Sequence, residues 1–168
     1  TYCHDFFGRN FAGARPDGSS PLSAEGMLVH GNFFGQSSFA THALCHERNI
    51  VKVGKEAPLH LLGPLACGVQ TGAGAVINSL KVGPGHSIAV FGTGSVGLSA
   101  IMAARLVGAT TIIAVDLNDS RLTLARELGA THAINARNEN AVESIMKLTG
   151  AGVTFSFDTT GSAAVIRQ

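Results

Sequence analysis

The chain contains no tryptophan, one tyrosine, and few charged residues, which make up 14% of its 168 positions. Its formal net charge is +1 and like charges do not occur in runs, so neither a nucleic-acid surface nor an anionic-membrane surface is expected. Its apolar stretches are interrupted by Gly, Arg or Asp well before the roughly 18 residues that a membrane span needs. We therefore expect no nucleic-acid partner and no membrane partner.

Cysteine is also scarce. Three cysteines at unrelated spacings do not form a disulfide framework, and a reduced, cytoplasmic setting fits them better. The chain begins at Thr1 without a methionine or a targeting segment, and its last residues are typical of an unfinished helix. We therefore expect a fragment of a larger protein.

The pattern of apolar residues changes along the chain. Up to about residue 65, short aromatic or β-branched runs between turn signals predict β-strands and loops. From about residue 69, helical patterns alternate with short apolar strands, of which four can be counted between Ile88 and Asp158. This alternation predicts an α/β fold with a parallel sheet. A complete doubly wound sheet usually has six strands, so we expect a partial one.

A glycine-rich run follows the first of these strands. Gly92-Thr-Gly94-Ser-Val-Gly97 fits G-x-G-x-x-G, comes after an apolar strand, opens a helix, and is followed about 20 residues later by Asp116. The three glycines would allow a tight turn, an approach of the backbone to a pyrophosphate, and close helix packing. The sequence therefore predicts a dinucleotide site.

Asp116 predicts which dinucleotide is preferred. Its carboxylate would accept hydrogen bonds from the adenosine ribose, and a phosphate there would be repelled by about 4 kcal/mol at 4 Å and an effective dielectric near 20. NAD is therefore expected in preference to NADP. Arg121 could reach the same ribose and soften this preference, although a solvated helix arginine is nearly as good an explanation.

Cys67, in the run GPLACGVQTGAGAV, is open to several interpretations. A buried thiol is the common explanation for a free cysteine, a nucleophile needs a nearby base that the sequence does not reveal, and a metal ligand needs partners. The run HALCH offers His42, Cys45 and His46. If it is a strand, the cysteine faces away from the two histidines, so the three side chains cannot converge on one ion.

Longer motifs carry a family resemblance. LLGPLACGVQTGAGAVIN, AVFGTGSVGLSA and IIAVDLNDSRLTLARELGATHAIN closely resemble the zinc-dependent medium-chain alcohol dehydrogenases, and the upstream YCHDFFGRNFAGARPDGS and FFGQSSFATHAL are most similar to their bacterial aryl-alcohol, or benzyl-alcohol, branch. The resemblance implies that residues 1–66 are the C-terminal part of a β-rich, GroES-like catalytic domain. Residues 67–168 would be the N-terminal part of a Rossmann domain that binds NAD.

The resemblance also implies a role for each residue that matches a family motif. Cys67 would be a ligand of the catalytic zinc, Thr71 would lie beside the nicotinamide ring, and Cys3 would be the last of four cysteines around a structural zinc. The implied cofactor contacts are Gly92, Gly94, Ser95, Val96 and Gly97 at the pyrophosphate, Asp116 and Arg121 at the ribose, and Thr159, Thr160 and Gly161 in a lining loop. Catalytic zinc needs three protein ligands, so Cys67 alone cannot hold it.

The implied activity is the oxidation of a primary, aromatic alcohol to an aldehyde, with zinc polarising the alcohol and NAD accepting a hydride. The whole enzyme would act on small-molecule alcohols or aldehydes as a homodimer or homotetramer, while this chain alone would be inactive. Phe33 and Phe34 would approach the substrate, although a core position is the better explanation for at least one. Two alternatives are a zinc-independent reductase, against which Cys67 argues, and a dinucleotide-binding domain without catalysis.

Overall fold

The computed structural model describes residues 4–35, 41–43 and 45–168. They divide into two compact units, Thr1–Ala57 and Pro58–Gln168. The domain boundary at 66/67 and the GroES-like origin of residues 1–66 stay predictions.

The first unit consists mostly of loops with short elements. These are α1 (Phe6–Phe11), β1 (Leu22–Ala24), β2 (Met27–Val29) and a 3₁₀ turn (Glu47–Asn49). β1 and β2 form an antiparallel hairpin whose two turn residues, Glu25 and Gly26, have φ of 51° and 79°, as a type I′ turn requires. Short strands and loops were expected here, whereas α1 was not predicted.

The second unit alternates helices and strands. Its elements are α2 (Leu59–Leu62), a 3₁₀ turn (Gly63–Ala66), α3 (Gly68–Gly74) with a π-helical turn (Ala75–Ser79), β3 (Ser87–Phe91), α4 (Ser95–Leu106), β4 (Thr111–Asp116), α5 (Asp119–Leu128), β5 (His132–Asn135), α6 (Ala141–Thr149), β6 (Phe155–Asp158) and α7 (Ala163–Ile166). The four strands counted from the sequence are confirmed.

The four strands form one parallel sheet in the order β5-β4-β3-β6. From β3 the chain adds β4 and β5 on one side and then returns to place β6 on the other side of β3. This is the strand order of a partial doubly wound sheet, so the predicted α/β, Rossmann-like fold is confirmed. The point where the order reverses lies between β3 and β6, and open α/β sheets bind ligands at such a point.

Both faces of the sheet are covered, which explains why its strands are so apolar. Ile88 and Ile112 pack with residues of α4 and α5 on one face, while Ala89, Ile113 and Ile134 pack with α6 on the other. Side chains of a strand alternate between faces, so β3, β4 and β5 contribute to both cores, whereas β6 contributes Phe155 and Phe157 to the first core only.

Local capping sets where the sheet-flanking helices begin. The Asn118 side chain accepts a hydrogen bond at 3.0 Å from the N–H of Ser120 and caps α5, and Asn140 caps α6 in the same way through Glu143. α4 differs, because Gly94 at its N-cap has no side chain to offer. Of the three longest helices beside the sheet, α4, α5 and α6, only α4 begins without a side chain that caps its backbone N–H groups.

Candidate functional site

A tight turn joins β3 to α4 at Gly92. Its φ of 87° lies in the left-handed region that favours glycine, and its N–H donates to the Val115 carbonyl at 2.8 Å. A Cβ added at Gly97 would lie 1.9 Å from the Gly92 carbonyl oxygen. α4 therefore approaches the turn this closely only because residue 97 has no side chain.

The N-terminus of α4 faces open space at Gly94. A Cβ added at Gly94 would meet nothing within 4 Å, and among the described residues no side chain caps this helix end. Ser95 and Val96 begin the helix, and the first N–H groups of a helix have no intrahelical acceptors. Together with the positive end of the helix dipole, such groups bind anions such as phosphate.

The carboxylate of Asp116 ends β4 beside this turn and is surrounded by donors. The N–H and the hydroxyl of Thr93 donate to Asp116 Oδ2 at 2.7 and 2.8 Å. The N–H groups of Leu117 and Asn118 donate to Oδ1 at 2.7 and 3.0 Å. Four donors thus hold one half-buried carboxylate at the end of the strand.

These hydrogen bonds decide the charge of Asp116. Partial burial acts to raise the pKa of its carboxyl, but the donors on Thr93, Asn118 and Leu117 outweigh burial and hold the pKa below the ordinary value of 3.8. Asp116 is therefore an anion at neutral pH. A group that binds beside it would be expected to donate hydrogen bonds and carry no negative charge of its own.

A cleft of about 560 Å³ lies at the carboxyl ends of the strands and joins these features. It is lined by six of the predicted site residues, Gly92, Gly94, Asp116, Arg121, Thr159 and Thr160. Ser95, Val96 and Gly97 lie next to it on α4, and Gly161 follows Thr160 in the loop after β6. A helix end with free N–H groups and a carboxylate that accepts hydrogen bonds, both in one cleft, have the chemistry that an adenine dinucleotide requires.

The loop after β6 supports the turn from the opposite side. The Thr159 hydroxyl lies 3.0 Å from the carbonyl oxygens of both Phe91 and Gly92, so its proton is shared between them. The Thr160 hydroxyl donates to Asp158 at 2.7 Å and, with backbone N–H groups of the loop, holds the pKa of that carboxyl below its ordinary value despite slight desolvation. Both threonine hydroxyls are thus engaged within the protein.

Thr71 lies on the neighbouring helix α3 and Cys67 lies just before it, and neither lines the cleft. Cys67 precedes the first residue of α3, and its carbonyl accepts from the Thr71 N–H at 2.8 Å. The Cys67 thiol is free and exposed, so the buried thiol favoured by the residues alone is wrong.

Two glycines on α3 connect this segment with the Gly-rich turn. A Cβ at Gly72 would lie 2.0 Å from the Val96 carbonyl oxygen, and one at Gly68 would lie 3.2 Å from the Ser95 Cβ. Both contacts are with the first turn of α4. The helix that carries Cys67 and Thr71 therefore packs directly on the helix end that faces the cleft.

The described residues do not form a complete metal site. Across residues 4–35, 41–43 and 45–168, no group of three or more His, Cys, Asp or Glu side chains is arranged to hold an ion. Cys3 lies outside the described residues, as does Leu44 within HALCH. His42 and Cys45 are exposed and belong to no strand, so the strand considered there is wrong for the part of that run that is described.

Phe33 and Phe34 are not core residues. They are 58% and 43% exposed, so the core position that was expected for at least one of them is wrong. They form a cluster of edge-to-face and tilted rings with Phe6, Phe7 and Phe11, in which ring centroids lie 4.7 to 6.1 Å apart. The described residues of the first unit thus carry an exposed aromatic surface.

Comparison with known proteins identifies the second half of the chain. Residues 95–168 match the family model described as zinc-binding dehydrogenase. The likeness to the zinc-binding dehydrogenase family is a likeness of this segment, which is 74 of the 168 residues. The matched segment begins at the first residue of α4 and includes β4, β5 and β6, and so carries Asp116 and the loop after β6.

Individual relatives extend the zinc-binding dehydrogenase likeness to almost the whole chain. A curated geraniol dehydrogenase from Castellaniella defragrans is 53% identical over 98% of this chain. The crystal structure of an alcohol dehydrogenase zinc-binding domain protein from Burkholderia ambifaria is 58% identical with a TM-score of 0.90, and that of benzyl alcohol dehydrogenase from Acinetobacter calcoaceticus is 53% identical with a TM-score of 0.88, each over 98% of this chain. The resemblance inferred from the motifs is confirmed.

The chain spans less than half of each of these dehydrogenases. It covers 44% of the geraniol dehydrogenase, 45% of the Burkholderia protein and 44% of the benzyl alcohol dehydrogenase.

In the part of the chain that the structure describes, no single helix is long and apolar enough to cross a membrane. One bent pair, Leu59–Ala66 and Gly68–Ser79 with 47° between them, reaches that length and composition only when the two are taken together.

Two features of the cleft and of the helices beside it were not predicted from the sequence. Thr93 occupies a variable position of G-x-G-x-x-G, so the motif assigns it no task, yet it supplies two of the donors to Asp116. Gly68 and Gly72 are four residues apart on one face of α3, and small residues at this spacing would have signalled a close helix contact.

Proposed function

We propose that this chain is the cofactor-binding part of an NAD-dependent, zinc-assisted dehydrogenase that oxidises a primary alcohol to an aldehyde. The observation that carries the proposal is the single cleft shared by the Gly92 turn, the uncapped end of α4 and the Asp116 carboxylate. The names of the relatives, geraniol dehydrogenase and benzyl alcohol dehydrogenase, support an alcohol as substrate. An aromatic alcohol is the more specific form of the proposal.

The cleft residues would divide the cofactor between them. The first N–H groups of α4 would bind the pyrophosphate, with Gly94 leaving room for it. Asp116 would accept hydrogen bonds from the adenosine ribose hydroxyls, and its charge would repel a phosphate in their place. NAD supplies hydride-transfer chemistry when bound, and the chain's own residues position it.

Zinc enters the proposal at the level of the family. The matched family is named as zinc-binding. A catalytic zinc site takes three protein ligands, and the residues that the structure describes contain no group of three possible ligands. These residues therefore do not fit a complete catalytic zinc site. Cys67 as one ligand, Cys3 as a structural ligand, and Thr71 beside the nicotinamide belong to the proposal.

A second candidate function is dinucleotide binding without catalysis by this chain. The lack of a three-ligand metal group among the described residues favours it. The two candidate functions are separated by an assay of this chain with zinc, NAD and benzyl alcohol. Turnover of benzyl alcohol by the chain itself would exclude the second candidate.

NAD binding by the chain is tested with a matched pair of glycine substitutions. Gly94→Ala places a methyl group in the open space of the cleft, whereas a Cβ at Gly83 meets nothing within 4 Å and lies outside the cleft. We expect both variants to retain wild-type thermal stability, and only Gly94→Ala to lose NAD affinity, by at least tenfold in isothermal titration calorimetry. Equal NAD affinities for the two variants would argue against this cleft.

This chain spans less than half of its dehydrogenase relatives, so the proposed activity is measured on the product of the whole reading frame that contains this chain. We expect NAD reduction with benzyl alcohol, and a smaller rate with NADP. Metal analysis should find zinc, of which Cys67→Ser loses the catalytic part and keeps the structural part proposed at Cys3. Light scattering should find a homodimer or homotetramer. A cytoplasmic location completes the proposal and is tested by cell fractionation.

A further inference from the structure

Thr93 is a buried polar residue whose N–H and hydroxyl both donate hydrogen bonds to the same carboxylate oxygen. Its side chain is 1% exposed, and it does not line the cleft. A buried hydroxyl is costly unless it is hydrogen-bonded, and this one donates to Asp116 Oδ2 at 2.8 Å, beside the Thr93 N–H at 2.7 Å. The two residues are 23 positions apart in the chain.

The hydroxyl of Thr93 restrains the carboxylate of Asp116. Oδ1 is held by N–H groups of the backbone that directly follows it, and such bonds allow the carboxylate to swing with its own loop. Oδ2 is tied through Thr93 to a different segment, the Gly-rich turn that follows β3. Thr93 therefore links the end of β4 to the Gly-rich turn and sets the direction in which the carboxylate presents its edge to the cleft.

We propose that Thr93 is a positioning residue that orients the Asp116 carboxylate for the adenosine ribose and thereby sets the preference for NAD over NADP. This inference rests on the proposed function. Without the hydroxyl, Oδ2 keeps one donor from the Gly-rich turn, the Thr93 N–H, instead of two. The ribose hydroxyls then meet a less well-oriented acceptor, so NAD loses affinity, while NADP, which gains little from this carboxylate, loses less.

Other charged groups near Asp116 could also affect the pH dependence of NAD binding. From α5, Asp119 and Arg121 lie near the end of β4, and Arg137 follows β5 with its Nε 3.4 Å from the Leu117 carbonyl oxygen. None of these groups is altered by a substitution at Thr93. A change in the pH dependence of NAD binding can therefore be assigned to the hydrogen bonds on Asp116.

The experiment measures dissociation constants for NAD and NADP by calorimetry on this chain, with Thr93→Val, Thr93→Ala and Thr93→Ser. Ser99→Ala is the matched control, since it removes a hydroxyl of a residue 3% exposed that donates to the Ser95 carbonyl and not to Asp116. Valine preserves volume, alanine serves if valine fails to fold, and serine restores the hydroxyl.

We expect Thr93→Val and Thr93→Ala to weaken NAD binding about tenfold, equivalent to about 1.4 kcal/mol, and NADP binding by less than about threefold. The acid limit of NAD binding should move to higher pH in both variants, because a carboxylate with fewer donors protonates more readily. Thr93→Ser and Ser99→Ala should keep the wild-type ratio and the wild-type acid limit.

Two results would overturn the inference in distinguishable ways. If the unaltered chain binds NAD and the valine and alanine variants keep its NAD-to-NADP ratio, Thr93 has no positioning role and the proposed function stands. If the unaltered chain binds neither nucleotide, the proposed function fails and this inference fails with it.

Discussion

Replacing Gly72 with alanine should separate α3 from α4, whereas the same replacement at Gly74 should not. The two glycines lie on the same helix, two residues apart, and both gain a methyl group. They differ in what that methyl group would contact. The pair therefore isolates the helix contact that links the Cys67 segment with the Gly-rich turn.

The expected magnitude follows from the local distances. A Cβ at Gly72 would lie 2.0 Å from the Val96 carbonyl oxygen and 2.9 Å from the Ala100 nitrogen. These are backbone atoms, so α3 must move outward by about 1 Å to bring the shorter distance to the 3.0 Å that real Cβ atoms respect. Overpacking of this kind typically costs about 1–3 kcal/mol. At Gly74 the nearest atom is the Asn78 Nδ2 at 3.9 Å, which is ordinary contact.

Both substitutions also gain helix propensity, about 0.8–1.0 kcal/mol for glycine to alanine. This gain cancels in the comparison of the two variants. Gly74→Ala should therefore be more stable than the wild type by up to about 1 kcal/mol, and Gly72→Ala should be about 1–3 kcal/mol less stable than Gly74→Ala.

Urea unfolding followed by far-ultraviolet circular dichroism measures this difference, provided that the two variants share one m-value. In thermal unfolding, 1 kcal/mol corresponds to about 2–4 °C for a chain of this size, so the Tm values should differ by several degrees. NAD affinity gives a second readout, since Val96 lies in the first turn of α4. Equal stability of the two variants would refute the close contact between α3 and α4.

Two further predictions concern charge and core packing. The folded pKa of Asp116 lies below its ordinary value of 3.8, so the group contributes stability above the ordinary pKa that is lost as pH falls through the folded pKa. Asp116→Asn should lower the free energy of unfolding at pH 7 and make the decline of that free energy in acid shallower. Some decline should remain, because Asp17 and Asp158 also have lowered pKa values. An acid profile that is unchanged in urea titrations would contradict this expectation. Ile113→Ala, at a residue 0% exposed, should lose about 2–5 kcal/mol, while Leu106→Ala, at a residue 81% exposed, should change stability by less than about 0.5 kcal/mol.

The Rossmann-like part of the chain was predictable because its local patterns agree with one another. β3 and β4 are continuous apolar runs, as strands covered on both faces must be. Gly92 and Gly97 mark the turn and the helix contact, and Asp116 follows at the expected distance. Each of these signals spans a few residues, so the sequence contains it directly.

The first unit was less predictable for a related reason. Its described elements are three to six residues long, too short for a period to become clear. α1 was missed, and the exposure of Phe33 and Phe34 contradicts what their hydrophobicity suggests. Apolar character alone does not determine burial when the surrounding chain supplies few contacts.

From the residues alone one can infer the order of strands and helices along the chain from β3 onward, the turn at Gly92 and the identity of the carboxylate at the end of β4. Those features depend on periodicity and on residues close together in the chain. Three features became visible only in the folded chain: Thr93 holds Asp116, Gly72 lies against Val96, and the Cys67 thiol is exposed. Each depends on where separate segments meet, and such contacts arise from packing between elements, which no single segment encodes.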